Sequence, residues 1–168
     1  MGNAGTLLKW NGAAWTAQTS GTTLSLYGVW GTSASNVWAV GTSGTLLKWD
    51  GTSWSSAISP TFNALSAVWG TDPNNVWAVG YAGTVIKWNG TAWSAVTSGT
   101  TQSLFGVWGS DASNVWAVGY NGALIKWNGT AWAPQVSGSS QGLTAIWGVD
   151  AKNVWAVGSQ GTILQYAP

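Results

Sequence analysis

Cysteine, histidine, arginine and glutamate are all missing from this 168-residue chain. Each absence closes off a kind of chemistry. With no cysteine there is neither a disulfide framework nor a thiolate metal site, and the redox compartment stays open. With no histidine, a Ser-His-Asp arrangement lacks its base and zinc lacks its usual ligands. Formal charge is confined to Lys9, Lys48, Lys87, Lys126 and Lys152 against Asp50, Asp72, Asp111 and Asp150, for a net charge of +1. That balance leaves no clustered cations for DNA, RNA or an anionic membrane, so neither nucleic acid nor membrane is an expected partner. The glycines are spaced as hairpin turns and not as a strand-to-helix cradle, so no phosphate loop is present. No catalytic residue, metal site or cofactor is expected, and the chain reads as a non-enzyme.

Targeting signals are equally sparse. The opening MGNAGTLLKW has no basic n-region and no long apolar run, which argues against a secretory signal or membrane anchor. The expectation is a soluble chain of unassigned compartment. MGNAGT fits the Gly2 myristoylation pattern. The same Ala-Gly-Thr recurs at Ala82-Gly83-Thr84 inside the chain, so the match belongs to a repeat.

What the chain does have is 16 tryptophans, 24 glycines and a 39-residue unit written four times. The units run 5–43, 44–82, 83–121 and 122–160, with a partial copy at 161–168, and together form a single repeat domain. A fixed step of this size points to a solenoid or a propeller. Apolar content of 45% is enough for a substantial core.

Each unit contains four short apolar stretches between turn signals, the pattern of strands. In the first full unit these are strand A (Ser25 to Gly31), B (Asn36 to Gly41), C (Thr45 to Trp49) and D (Ser53 to Ile58). Asn11-Gly12, Asp50-Gly51, Asn89-Gly90 and Asn128-Gly129 predict a two-residue hairpin of positive φ between C and D. A short turn on Gly41 to Gly44 predicts an antiparallel B–C connection. Strands A, B and C are nearly continuous apolar runs, so both sheet faces are expected to be covered. Strand D mixes Trp with Thr, Gln and Ser and reads as the outer edge. Small sheets of four strands, each buried between two neighbours, describe an all-β fold, a β-propeller. Gly28, Ala67, Gly106 and Ala145 in strand A would suit its crowded centre.

The string LxxVWGxDxxNVWAVGxxGTLLKWNGxxW resembles the bacterial propeller repeats related to the two-component-regulator and sialidase-type (BNR) groups, over essentially the whole chain. The resemblance implies a propeller architecture and little about activity, because propellers host enzymes, lectins and scaffolds alike. Sialidase-like chemistry would need Arg to hold a carboxylate, and an acidic pair. The near-uniform copies also resemble an engineered or recently amplified propeller.

The phase of the repeat bears on assembly. The chain starts with strands C and D, runs through three complete units and closes with A, B and C, seventeen strands where four blades need sixteen. Closing a ring would combine the final A and B with the first D, and either Thr6 to Trp10 or Thr162 to Tyr166 could supply the C between them. Short blades carrying four Trp each favour thick, nearly parallel spacing and more blades. The expectation is therefore a homodimer forming one eight-bladed ring, with a closed four-bladed monomer as the alternative. An open half-ring would expose two large apolar faces.

Trp10, Trp30, Trp38 and their equivalents are expected to fill the spaces between blades. The set just past the hairpin, Trp15, Trp54, Trp93 and Trp132, is the candidate for stacking on sugars, which makes carbohydrate the alternative partner and a lectin the alternative function. Asp72, Asp111 and Asp150 share one loop position between A and B, where the first copy has Ser33. A ring of carboxylates could bind a cation, but Ser can replace Asp only in a turn that bonds nearby backbone N–H groups, which is the favoured reading. Asn89-Gly90-Thr91 and Asn128-Gly129-Thr130 match the glycosylation pattern and coincide with hairpin turns. The Lys9, Lys48, Lys87 and Lys126 row in strand C reads as a snorkelling structural position.

Overall fold

Valine-, tryptophan- and leucine-rich runs of three to eight residues, punctuated by Gly and Asn, form strands throughout the computed structural model, which describes residues 2–166. A two-stranded hairpin opens the chain, β1 (Leu7–Trp10) and β2 (Trp15–Gln18). Blade one follows as β3 (Leu26–Ser33), β4 (Asn36–Gly41), β5 (Leu46–Trp49) and β6 (Trp54–Ser56). Blade two is β7 (Leu65–Asp72), β8 (Asn75–Gly80), β9 (Val85–Trp88) and β10 (Trp93–Ala95). Blade three is β11 (Leu104–Asp111), β12 (Asn114–Gly119), β13 (Leu124–Trp127) and β14 (Trp132–Pro134). Blade four has three strands, β15 (Leu143–Asp150), β16 (Asn153–Gly158) and β17 (Ile163–Tyr166).

Each of the four blades is an antiparallel meander with strand A at one edge, and in the four-stranded blades strand D lies at the other. Register repeats with the sequence: Trp38 faces Lys48, Trp77 faces Lys87 and Trp116 faces Lys126. The B–C turn is a tight 3-10 turn in which Ser43 (φ 54°) is followed by Gly44 (φ 70°). A Cβ on Gly44 would run into the carbonyl oxygen of Thr61, so both space and φ demand glycine there.

The C–D turn departs from the expected two-residue form. Four residues, Asn11 to Ala14, separate the terminal pair Trp10 and Trp15, and only the glycine takes positive φ. Asn11 works through its side chain instead: Oδ1 accepts from the N–H groups of Ala13 and Ala14, both at 2.9 Å. Asp50, Asn89 and Asn128 accept from their own loops in the same way.

Strand A packs on strand A: β3 on β7, β7 on β11 and β11 on β15. Small residues allow this, since a Cβ on Gly28 would sit 3.1 Å from the Ala67 Cα. The main cores lie between blades one and two and between blades two and three. Among the described residues β3 and β15 share no such extended packing, and Val29 and Trp147 on them are exposed, so the blades form an open arc with two free ends.

Candidate functional site

An interior joint between two blades shows what each end of the arc is missing. Trp30 of β3 lies against Gly70 of β7, where an added Cβ would come within 2.7 Å of the indole Cη2. Trp38 of β4 is fully buried, with ring centroids 5.0 Å from Trp88 and 5.1 Å from Trp93 of blade two. Lys48 lies over the Trp38 and Trp88 rings at 5.2 and 5.1 Å. The next joint repeats the set: Trp69 on Gly109, Trp77 enclosed by Trp127 and Trp132, Lys87 over Trp77 and Trp127. A cation over two indole faces in a desolvated seam is attracted by both ring quadrupoles, which holds neighbouring blades in register.

The joint to blade four is incomplete. Trp108 lies against Gly148 as before. Trp116, however, stacks on Trp108 of its own blade at 5.8 Å and meets a single ring of blade four, Tyr166 at 5.9 Å, because blade four has no strand D to supply a second. A cleft of about 190 Å³ lined by Trp116, Leu164 and Tyr166 occupies that place.

At the leading end Gly31 has no tryptophan on it, and Val29 is 65% exposed where Val68 and Val107 are buried. Trp49 and Trp54 pair at 5.6 Å but enclose no strand-B tryptophan. Lys9 reaches over Trp49 at 4.7 Å and covers no second ring. Between the β1–β2 hairpin and blade one lies an apolar cleft of about 420 Å³ lined by Lys9, Val29, Trp49 and Trp54. At the trailing end Trp147 is 61% exposed where its strand-A equivalents Trp30, Trp69 and Trp108 are half-buried, and Trp155 is 42% exposed where its strand-B equivalents Trp38, Trp77 and Trp116 are buried. One end thus has hollows without tryptophans, and the other has tryptophans without hollows.

The four candidate sugar-stacking residues fall in different surroundings. Trp93 and Trp132 are 7% and 6% exposed and sit in the seams between blades. Trp54 is half-buried, and Trp15 on the hairpin is exposed. The structure therefore brings together Trp54 with Trp49, Trp93 with Trp38, and Trp132 with Trp77, and leaves Trp15 facing outward beside Trp10.

The Asp row makes turns. Asp72 Oδ1 accepts from the Asn74 N–H at 2.9 Å and Oδ2 from the Asn75 side chain at 2.9 Å. Asp111 and Asp150 repeat this, and Ser33 Oγ accepts from the Ser35 N–H in the first copy. Slight burial of Asp72 and Asp111 opposes their charge, but the hydrogen bonds outweigh it and hold both carboxyls below their ordinary value. Asp150 is lowered chiefly by the Lys152 N–H, and Asp50 by the Ser53 N–H. Asn89 and Asn128 spend their side-chain oxygens on the hairpin turns.

Two features of the seams escape the sequence reading. The lysine row is not simply snorkelling: it lies across tryptophans of two blades. The glycine after the strand-A tryptophan is, at Gly70, Gly109 and Gly148, the seat for the tryptophan of the blade before, a role signalled only by the constant Trp-Gly dipeptide.

No protein-family model matches the chain, and no curated protein matches it. Solved β-propellers do match. "YCF48 bound to D1 peptide" is 18% identical with a TM-score of 0.75, and 99% of this chain covers 58% of that one. The computationally designed Ika8 protein is 16% identical with a TM-score of 0.80, at 99% of this chain and 54% of that one. The computationally designed Ika4 protein is 18% identical with a TM-score of 0.72, at 86% and 92%. This chain therefore spans less than three fifths of the YCF48 chain. The likeness shows the fold, an all-β propeller built from antiparallel blades, and does not extend to the sialidase-type group that the repeat motif resembles.

Proposed function

We propose that this chain is a non-enzymatic, self-assembling propeller scaffold, and that two copies close into one eight-bladed ring. The observation that carries this reading is the matched deficit of the two ends: Gly31 has no tryptophan against it, and Trp147 has no glycine to rest on. In a two-fold ring, Trp147 of each chain seats on the partner's Gly31, and Trp155 enters the cleft lined by the partner's Lys9, the partner's Trp49 and the partner's Trp54. Such a contact repeats the interior joints residue for residue, so it inherits a packing that the chain already uses between its own blades. Left in water, Trp147 and Trp155 at one end and Val29 at the other would form apolar patches.

Other support is geometric. The arc fits onto 54% of the Ika8 chain at a TM-score of 0.80. The near-identical copies, together with likeness to two computationally designed proteins, support an origin by design or recent amplification. The buried seats of Trp93 and Trp132 favour a role in packing over sugar stacking. Light scattering at micromolar concentration tests the assembly: a species of about twice 17.4 kDa is expected, and a uniform 17.4 kDa species refutes it. Tryptophan emission titrated with simple sugars is expected to stay unchanged; saturable quenching would shift the assignment to a lectin.

A further inference from the structure

A ring of eight four-stranded blades has no room for all seventeen strands that the described residues of each of two chains form. This inference rests on the ring proposed above. The contested place is strand C of the blade that the chains share. Within one chain β17 holds it beside β16, with Trp155 facing Gln165 and Val157 facing Ile163. By repeat register β1 would place Lys9 opposite the partner's Trp155, and Leu7 opposite the partner's Val157. We propose that the β1–β2 hairpin enters the shared blade as a unit and displaces β17, which acts in the lone chain as a placeholder strand over the partner-binding edge.

Three observations favour β1. The first is the lysine seam. Lys48, Lys87 and Lys126 each lie over two aromatic rings, whereas Lys9 has one, and Trp155 is the strand-B tryptophan that faces a glutamine. Docking β1 gives Lys9 its second ring and Trp155 its cation. The second is the tryptophan pair. Trp10 and Trp15 lie 5.8 Å apart in the hairpin, close to the 6.0 Å of Trp88 with Trp93 and of Trp127 with Trp132. Those pairs enclose a buried strand-B tryptophan of the preceding blade, whereas Trp116 receives from the next blade only Tyr166, beside an open cleft. The pre-formed pair fits that cleft, and Trp15, 66% exposed in the lone chain, becomes covered.

The third is how each strand is held. β1 is tied by four register pairs to β2, by Leu7 packed on Leu26, Ala39 and Leu47, and by two 2.9 Å backbone bonds between Gly2 and Leu26. β17 likewise has four register pairs, to β16, and packs Leu164 on Val118, Leu143 and Ala156, but its turn residue Gly161 has open space where Gly44, Gly83 and Gly122 are covered by the following loop. The two Gly2–Leu26 bonds come in addition for β1, so removing β1 breaks more than releasing β17.

The chain has no cysteine, so engineered disulfides report without background. Leu7→Cys with Val157→Cys, in the full chain under mild oxidation, is expected to give a covalent dimer, because facing antiparallel positions lie within disulfide reach. Val157→Cys with Ile163→Cys is expected to stay open in the ring. A closed bond within each chain in this second variant, at ring mass and with no covalent dimer from the first, overturns the exchange and leaves the ring standing. A parent chain that remains at 17.4 kDa overturns the ring itself. Restoring the repeat in β17 with Gln165→Lys and Tyr166→Trp gives an independent reading. Strengthening the placeholder is expected to weaken dimerisation by roughly tenfold or more. Tighter or unchanged dimerisation means that β17 stays in the ring.

Discussion

Trp147→Ala separates assembly from folding. In the lone arc Trp147 is 61% exposed, so its removal takes away little packing and should change the stability of a single chain by less than about 0.5 kcal/mol. The equivalent Trp30, Trp69 and Trp108 are half-buried against the glycine of the next blade. Closing the ring would bring Trp147 to their condition and remove on the order of 80 Å² of indole from water. At ~25 cal/mol per Å² this is worth about 2 kcal/mol per junction. A two-fold ring has two junctions, so the loss is about 4 kcal/mol, or roughly a thousandfold in the dissociation constant. Sedimentation equilibrium over a wide concentration range reads this directly. Trp69→Ala serves as the contrast, since it should lower the melting temperature of the arc itself. A Trp147→Ala chain that dimerises as tightly as the parent refutes the seating of Trp147 on the partner's Gly31.

Three further outcomes are expected. Gly44→Ala, whose Cβ runs into the Thr61 carbonyl at φ 70°, should cost about 3 kcal/mol or more, whereas Gly161→Ala, with open space around it at φ 72°, should cost about 1 kcal/mol; thermal melts compare the two. Stability to urea should be flat from about pH 5 to pH 8, because no histidine titrates there, and should fall as the pH drops below about 4. The sign follows from Asp50, Asp72, Asp111 and Asp150: each is lowered in the folded chain, so the unfolded chain takes up protons first, and a midpoint that rises on acidification would contradict the turn bonds. The paired cysteine variants of Leu7, Val157 and Ile163 then decide which terminal strand completes the shared blade.

Much of the fold can be read in the chain because one pattern is repeated. Strand B was expected at Asn36 to Gly41, where β4 lies, and the Gly-rich turn, the polar outer strand and the Asp turn also correspond. Strand A runs two residues further than its apolar stretch, to Ser33, because the Ser33 and Asp72 turns let the ladder continue to the pairs Ser33–Asn36 and Asp72–Asn75. The hairpin turn differs because the side chain of Asn11, not its backbone φ, satisfies the loop N–H groups.

The surroundings of a tryptophan are not local information. Trp15 and Trp93 occupy the same repeat position, yet one is exposed and the other buried, because only the second has a strand-B tryptophan from the preceding blade beside it. The lysine seam is hidden for the same reason, since its two rings come from different blades. Repetition made the interior legible, while the ends, where the same residues lose their neighbours, required the three-dimensional arrangement.

The number of copies in the closed ring can be counted directly. Native mass spectrometry of an equimolar mixture of unlabelled and nitrogen-15-labelled chains, unfolded together and refolded, counts them. Two copies predict three peaks near twice 17.4 kDa in a 1:2:1 pattern. Two peaks at 17.4 kDa, or a four-peak trimer, would contradict the closed two-chain ring.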